Sequence, residues 1–199
     1  MPKVLVIDPL SPDAAVIAEA VETLQQGRLV VLPTETVYGL CAHPDRPNAV
    51  QAMYDVKGRD PGKPMAFLAS DIGQVRAAGA RLTKAAERVA QRFWPGPLTL
   101  VLPVDDRTVG FRVPDHKVPG CVMKELGGPI LATSANRSGQ PEATTAVEAI
   151  AALGEAVALV LDAGPSEGAV ASTVLLALQD RLEVLREGAL SKEEIEGAA

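Results

Sequence analysis

The sequence has little aromatic material: one Trp, two Tyr and three Phe in 199 residues. Its core must be built mostly from Ala, Val and Leu, and no visible platform of rings offers to stack single-stranded nucleic acid. Cysteine and histidine are scarcer still, at two residues each, with no CxxC pair. These counts support neither a disulfide framework nor a protein-ligated structural metal, and neither histidine lies in a recognisable nucleophile motif. No apolar run is long enough to span a membrane, and the opening "MPKVLVIDPLSPDAA" lacks the apolar stretch of a secretory signal. The formal net charge of -6 gives no whole-chain attraction to nucleic acid. These absences together read as a soluble, cytoplasmic protein without a membrane partner.

What is present is a globular balance of 47% hydrophobic and 22% charged residues, in a length that fits one sizeable domain. "SPDAAVIAEAVETLQQG" predicts a helix, with Ser11 as cap, Pro12 in the first turn and Gly27 as its end. "NAVQAMYDVKG", "TKAAERVAQRFW", "CVMKELGG" and "TTAVEAIAALG" carry the helical period, and a helical turn is expected after Asp71 and again in "SKEEIEGAA". Strands are expected in "RLVVLP", "PMAFLA", "LTLVLPV", "TVGFRVP", "PILAT", "AVALVLDAG", "ASTVLLAL" and "RLEVLR". Helices and strands alternate early and strands become consecutive late. The pattern predicts an α/β domain with a mixed sheet, spanning residues 10–190 with 191–199 as a short tail.

Polar residues gather at strand ends. "PTETVYGL" ends an apolar strand in Thr34, Glu35, Thr36 and Tyr38. It is either an ordinary turn whose hydroxyls serve the backbone or part of a binding wall. "KGRDPGKP" sets Lys57, Arg59 and Lys63 among flexible glycines, either as a solvated basic loop or as a seat for phosphate or carboxylate. It is not a P-loop, and no dinucleotide fingerprint occurs elsewhere. Arg112 interrupts the apolar strand "TVGFRVP" and either snorkels at a sheet edge or meets an anion. His116 reads as a lone histidine in a polar turn. "PILATSANRSGQP" runs from a strand into Thr133, Ser134, Asn136 and Ser138, a plausible phosphoryl nest or an Asn-rich turn. Ser172 and Thr173 open one late strand and Arg186 closes the next. Such a set lacks the usual engines of acid–base chemistry and suits the alignment of polyanionic reactants by placement and charge neutralisation.

Taken in order, "PTETVYGL", "KGRDPGKP", the arginine of "GFRVP", "TSANRSG" and "STV…LREG" resemble the YrdC-like family of L-threonylcarbamoyladenylate synthases, over residues of about 10 to 190. The resemblance implies a twisted mixed sheet with flanking helices around a large concave cavity. It implies a nucleotidyltransferase that makes threonylcarbamoyl-AMP and pyrophosphate from L-threonine, bicarbonate or CO2, and ATP, with Mg2+ carried by the nucleotide. The product serves the N6-threonylcarbamoyl mark on adenosine 37 of transfer RNA, which implies a handoff to a tRNA-modifying transferase complex. Carried over by motif, Thr34 or Thr36, Arg112 and Ser172 would hold threonine. Lys57, Arg59, Thr108, Ser134, Asn136 and Arg186 would hold the nucleotide, with Lys57 and Arg59 catalytic. Many relatives have Asp in place of Glu35, and the length resembles the short form of the family. Two alternatives stand beside this reading: a double-stranded-RNA-binding or ribosome-associated module, and a paralogue acting on another amine.

Overall fold

The computed structural model describes residues 1–60, 62–179 and 181–198. The chain runs through β1 (Lys3–Val6), α1 (Ala14–Gln25), β2 (Val30–Leu32), β3 (Gly39–Ala42), α2 (Pro47–Lys57), β4 (Ala66–Leu68), α3 (Ile72–Ala77) and α4 (Lys84–Phe93). It continues through β5 (Leu98–Val104), β6 (Arg107–Arg112), α5 (Lys117–Leu126), β7 (Ile130–Ser134), α6 (Ala146–Leu153), β8 (Leu159–Asp162), β9 (Thr173–Leu178), β10 (Arg181–Arg186) and α7 (Lys192–Glu196). Two strands, β1 and β3, go beyond the sequence expectation. Each has four residues, and β3, buried throughout, lacks the alternation that marks a half-buried strand. Helix α1 is capped by Asp13, whose carboxylate accepts from the Ala15 and Val16 amides, and not by Ser11. Asp8 Oδ1 takes the amides of Leu10 and Ser11, so the backbone is still turning at Ser11 and enters the helix two residues later.

The strands form one mixed sheet in the order β1-β8-β2-β3-β7-β4-β6-β5-β9-β10. Pairing is parallel for β1/β8, β8/β2, β4/β6 and β5/β9, and antiparallel for the other neighbours. The half around β8, β2, β3 and β7 is covered on both faces. Buried residues of α1 and α5 pack with Val30, Leu32, Leu159 and Leu161, while those of α2 and α6 pack with Val31, Leu40 and Val160. In the other half, a third core packs on one face only. Leu98, Leu100 and Leu102 of β5, Val109 and Phe111 of β6, and Leu175 and Ala177 of β9 meet α4 residues Ala86, Val89 and Ala90 there. Because side chains alternate along a strand, the opposite face carries Thr99 and Val101, Thr108, Gly110 and Arg112, and Val174 and Leu176.

Tyr38 lies in the turn between β2 and β3 and ties that turn to the segment that follows β8. Its side chain is fully buried, and its hydroxyl donates to Gly164 O at 2.6 Å and accepts from the Ala163 amide at 3.2 Å. Burial pushes the phenol up to about 12, so it remains a neutral donor. Tyr38→Phe leaves a partly buried carbonyl and a partly buried amide without this partner. We expect it to cost about 1–3 kcal/mol of stability in urea unfolding, and an unchanged midpoint and slope would contradict the assignment.

Candidate active site

The uncovered sheet face forms the floor of a cavity of about 460 Å³, within the range usual for small-molecule sites. Its wall includes Thr34, Arg59, Thr108, Arg112, Ser134, Ser172 and Arg186. Of the remaining sequence candidates, Thr36, Lys57 and Asn136 are buried, and each is bonded to one of those wall residues. The five sequence clusters therefore converge on one place, through strand alternation in β6, the end of α2 and the loop after it, and strand ends elsewhere.

Arg112 occupies the last position of β6 on the cavity face and is 6% exposed. Its Nε donates to Gly96 O at 3.1 Å and its Nη1 to Thr36 Oγ1 at 2.8 Å. Thr36 passes the polarity on: its hydroxyl lies 2.9 Å from that of Thr34, which donates to Val37 O at 2.6 Å. The chain of donors runs Arg112, Thr36, Thr34, backbone. The hydroxyls of "PTETVYGL" thus serve the turn and also orient the arginine. The turn is buried, not solvent-facing. Arg112 Nη2 lies 2.6 Å from Glu35 Oε1, so the arginine meets an anion and does not snorkel to an edge.

Lys57 ends α2, where Gly58 takes a left-handed conformation with φ of 58° and turns the chain away. The lysine is 3% exposed, yet its ammonium donates to Ser134 O at 2.8 Å and Asn136 Oδ1 at 2.7 Å, with Ser134 Oγ at 3.4 Å. Ser134 Oγ also donates to Asn136 Oδ1 at 2.6 Å. Burial first, and then the neighbouring charge of Arg59, lower the Lys57 ammonium from an ordinary 10.5 to about 8, while Glu142 pulls the other way. Arg59 folds back on its own loop, donating from Nε to Lys63 O at 2.9 Å and from Nη2 to Pro64 O at 3.1 Å.

The backbone amides in and after "TSANRSG" are largely spent within the chain. The amides of Ala135, Asn136, Ser138 and Gln140 are spent on Tyr38, Ser134, Lys57 and Arg137 carbonyls, and it is the Ser134 side chain that lines the cavity. Ser172 pairs with Thr99 at 2.8 Å, and Arg186 Nη2 donates to Ser172 O at 2.7 Å. A register shift between Val184 and Arg186 brings both Leu185 and Arg186 to the wall. Gly188 lets this corner close, since a Cβ there would lie 2.7 Å from the Ser172 carbonyl carbon.

Sequence reasoning missed Thr99, Leu185 and Glu142 as wall residues. Thr99 had a readable signal, a polar side chain inside an apolar strand, the same one that singled out Arg112. Leu185 had none, because the bulge that turns it inward is set by pairing with β9. Glu142 follows the strand end by several residues in an irregular segment and carries no pattern.

Comparison with known proteins agrees with this geometry. The family model Sua5/yciO/yrdC, described as "Telomere recombination", matches residues 22–188. Threonylcarbamoyl-AMP synthase of Bacillus subtilis is 38% identical over 96% of this chain and 58% of its own length. A crystal structure of Pyrococcus abyssi Sua5 in complex with L-threonine superposes with a TM-score of 0.92 at 33% identity, over 98% of this chain and 60% of that one. Escherichia coli YciO shares the fold, with a TM-score of 0.88 at 24% identity over 98% of this chain and all of its own. The chain spans little more than half the length of the first two relatives.

The buried Lys57 ammonium has a signature that needs no ligand. Its affinity for a proton is lower in the folded state than in the unfolded one, so folding is penalised below about pH 8 and the penalty fades as pH rises toward 10.5. Measured against Lys57→Met at each pH, wild-type stability should gain about 2 kcal/mol between roughly pH 7.5 and roughly pH 10. A pH-independent difference in urea unfolding would show that the lysine is not held as described.

Proposed function

We propose that this chain, which belongs to the Sua5/YciO/YrdC family, is a threonylcarbamoyl-AMP synthase acting on L-threonine, CO2 or bicarbonate, and ATP. The observation that carries the reading is the convergence of three arginines and the Lys57–Ser134–Asn136 cluster on one concave site. Its volume suits a small molecule, whereas recognition of double-stranded RNA relies on contacts spread along an extended groove. The relative solved with L-threonine supports the choice of amino acid.

In this mechanism the amine of threonine attacks CO2, loses a proton and becomes an N-carboxylate. A carboxylate oxygen then attacks the α-phosphorus of ATP, the bond to the bridging oxygen breaks, and pyrophosphate leaves. Arg112 takes the threonine carboxylate, with its guanidinium set by Thr36 and Gly96 and its near wall formed by Thr34. Ser172, fixed by Thr99, positions the rest of the amino acid. Arg59, Thr108 and Arg186 hold the nucleotide. Lys57 acts through Ser134 and Asn136, placing a positive charge beneath the hydroxyl that meets the phosphate, where it offsets charge as the transition state forms. Mg2+ would travel with the triphosphate and offset charge on the departing pyrophosphate, with Ser134 and Glu142 as oxygen donors on the wall. The product would pass to a transferase that modifies tRNA.

The test is pyrophosphate release from ATP, Mg2+ and bicarbonate, with and without L-threonine, together with mass spectrometry for the mixed anhydride. Threonine-dependent release is expected, and Lys57→Ala or Arg112→Ala should lower kcat/KM about 10²–10³-fold. Folded protein that releases no threonine-dependent pyrophosphate would reject the reading. Release with serine in place of threonine would point to a paralogue, and salt-sensitive retention of RNA without turnover would point to an RNA-binding module.

A further inference from the structure

Most of the polar side chains buried around the cavity are satisfied. Thr34, Thr36, Lys57, Asn136, Ser172 and Thr173 all have partners in good geometry. One spot differs. Arg112 Nη2 and both carboxylate oxygens of Glu35 are closed off from solvent, and none has an aligned hydrogen bond among the described residues. Nη2 and Oε1 are only 2.6 Å apart, so the two groups attract as charges while the N–H points off the line between them. The backbone of Glu35 is held, since its carbonyl accepts from Gly168 N at 2.9 Å. Among the described residues its side chain has no tie besides the arginine.

The guanidinium is fixed through Nε and Nη1, which leaves Nη2 as the end that is poorly used. The geometry points to Glu35 as the resident competitor of the Arg112 site, a carboxylate of the chain itself that a ligand carboxylate must displace. This rests on the function proposed above and adds a specificity-determining residue to it. One guanidinium faces two carboxylates when a ligand arrives, so a newcomer gains only by the difference between its pairing and that of Glu35. A ligand that aligns both oxygens with the guanidinium wins, because Glu35 does not align. Bicarbonate, acetate and similar small anions, lacking further contacts, do not. Such a filter is useful where a carboxylate substrate and a carbonate substrate share one cavity.

Glu35→Gln keeps the size of the side chain and removes its charge. By calorimetric titration, this variant should bind L-threonine about tenfold more tightly than wild type. Acetate should compete with threonine at about tenfold lower concentration, and the KM for threonine should fall with kcat not raised. Glu35→Asp, with a shorter reach to Arg112, should fall between the two, and it keeps the question open to measurement if the glutamine variant does not fold. If Glu35 is instead a strut for Arg112, or contacts the threonine ammonium, both variants bind threonine more weakly and the inference is overturned. Equal affinity in wild type and variants overturns it as well. A folded wild type that neither binds threonine nor turns over would reject the proposed function, and this inference with it. Wild-type turnover without tighter binding in Glu35→Gln rejects the inference alone.

Discussion

The period-2 alternation of β5, β6 and β9 is the constraint on which the rest depends. These strands carry helices on one face only, so each must be apolar at every second position and is free at the positions between. Leu98, Leu100, Leu102, Val109, Phe111 and Leu175 supply the first set and seal against α4 and its neighbours. Thr99, Thr108, Arg112 and Val174 occupy the second set and become the floor of a cavity. Phe111, stacked on Phe67 with ring centroids 5.6 Å apart, sits next to Arg112 in sequence and on the opposite face of the sheet. A one-residue slip in the pairing of β6 would bury the arginine in the core and turn the phenylalanine into the cavity. Core packing therefore fixes the aim of the cation.

Burying cations beside a cavity is unfavourable unless each is held by acceptors. The chain solves this differently at its two ends. Lys57 has two close neutral oxygens and no ion pair among the described residues, so its charge is retained but its proton is held less firmly. Arg112 is neutralised by Glu35, at the expense of an unaligned contact. Among the described residues, one cation is left without a counter-charge and the other is neutralised within the fold.

Much of this was legible from the residues, because the signals were local. A buried arginine in an apolar strand, three cations around two glycines and a strand that ends in hydroxyls each stand out at short range, and each contributes at least one residue to the cavity wall. The mixed sheet followed from the spacing of the elements. What escaped notice depends on pairing between distant segments. Strand β3 exists because β2 and β7 flank it, and its residues "GLCA" carry no alternation of their own. Leu185 faces inward because of a register shift against β9. The amides of "TSANRSG" looked free from sequence because their acceptors, Tyr38 O and Lys57 O among them, lie far away along the chain.

The same distinction separates the residues whose chemistry could be guessed from those whose state could not. Thr34 and Thr36 were visible as hydroxyls, but the direction of their hydrogen bonds is set by Arg112, 76 positions beyond Thr36. Once the arginine donates to Thr36, each hydroxyl in the chain has a proton already committed toward the Val37 carbonyl. The Thr34 oxygen is filled from the chain as well, since it accepts from the Thr36 hydroxyl at 2.9 Å and from the Thr36 and Val37 amides at 3.3 Å each. Thr34 thus spends both its proton and its acceptor capacity on the turn, and the polarity of this edge of the cavity resides in Arg112.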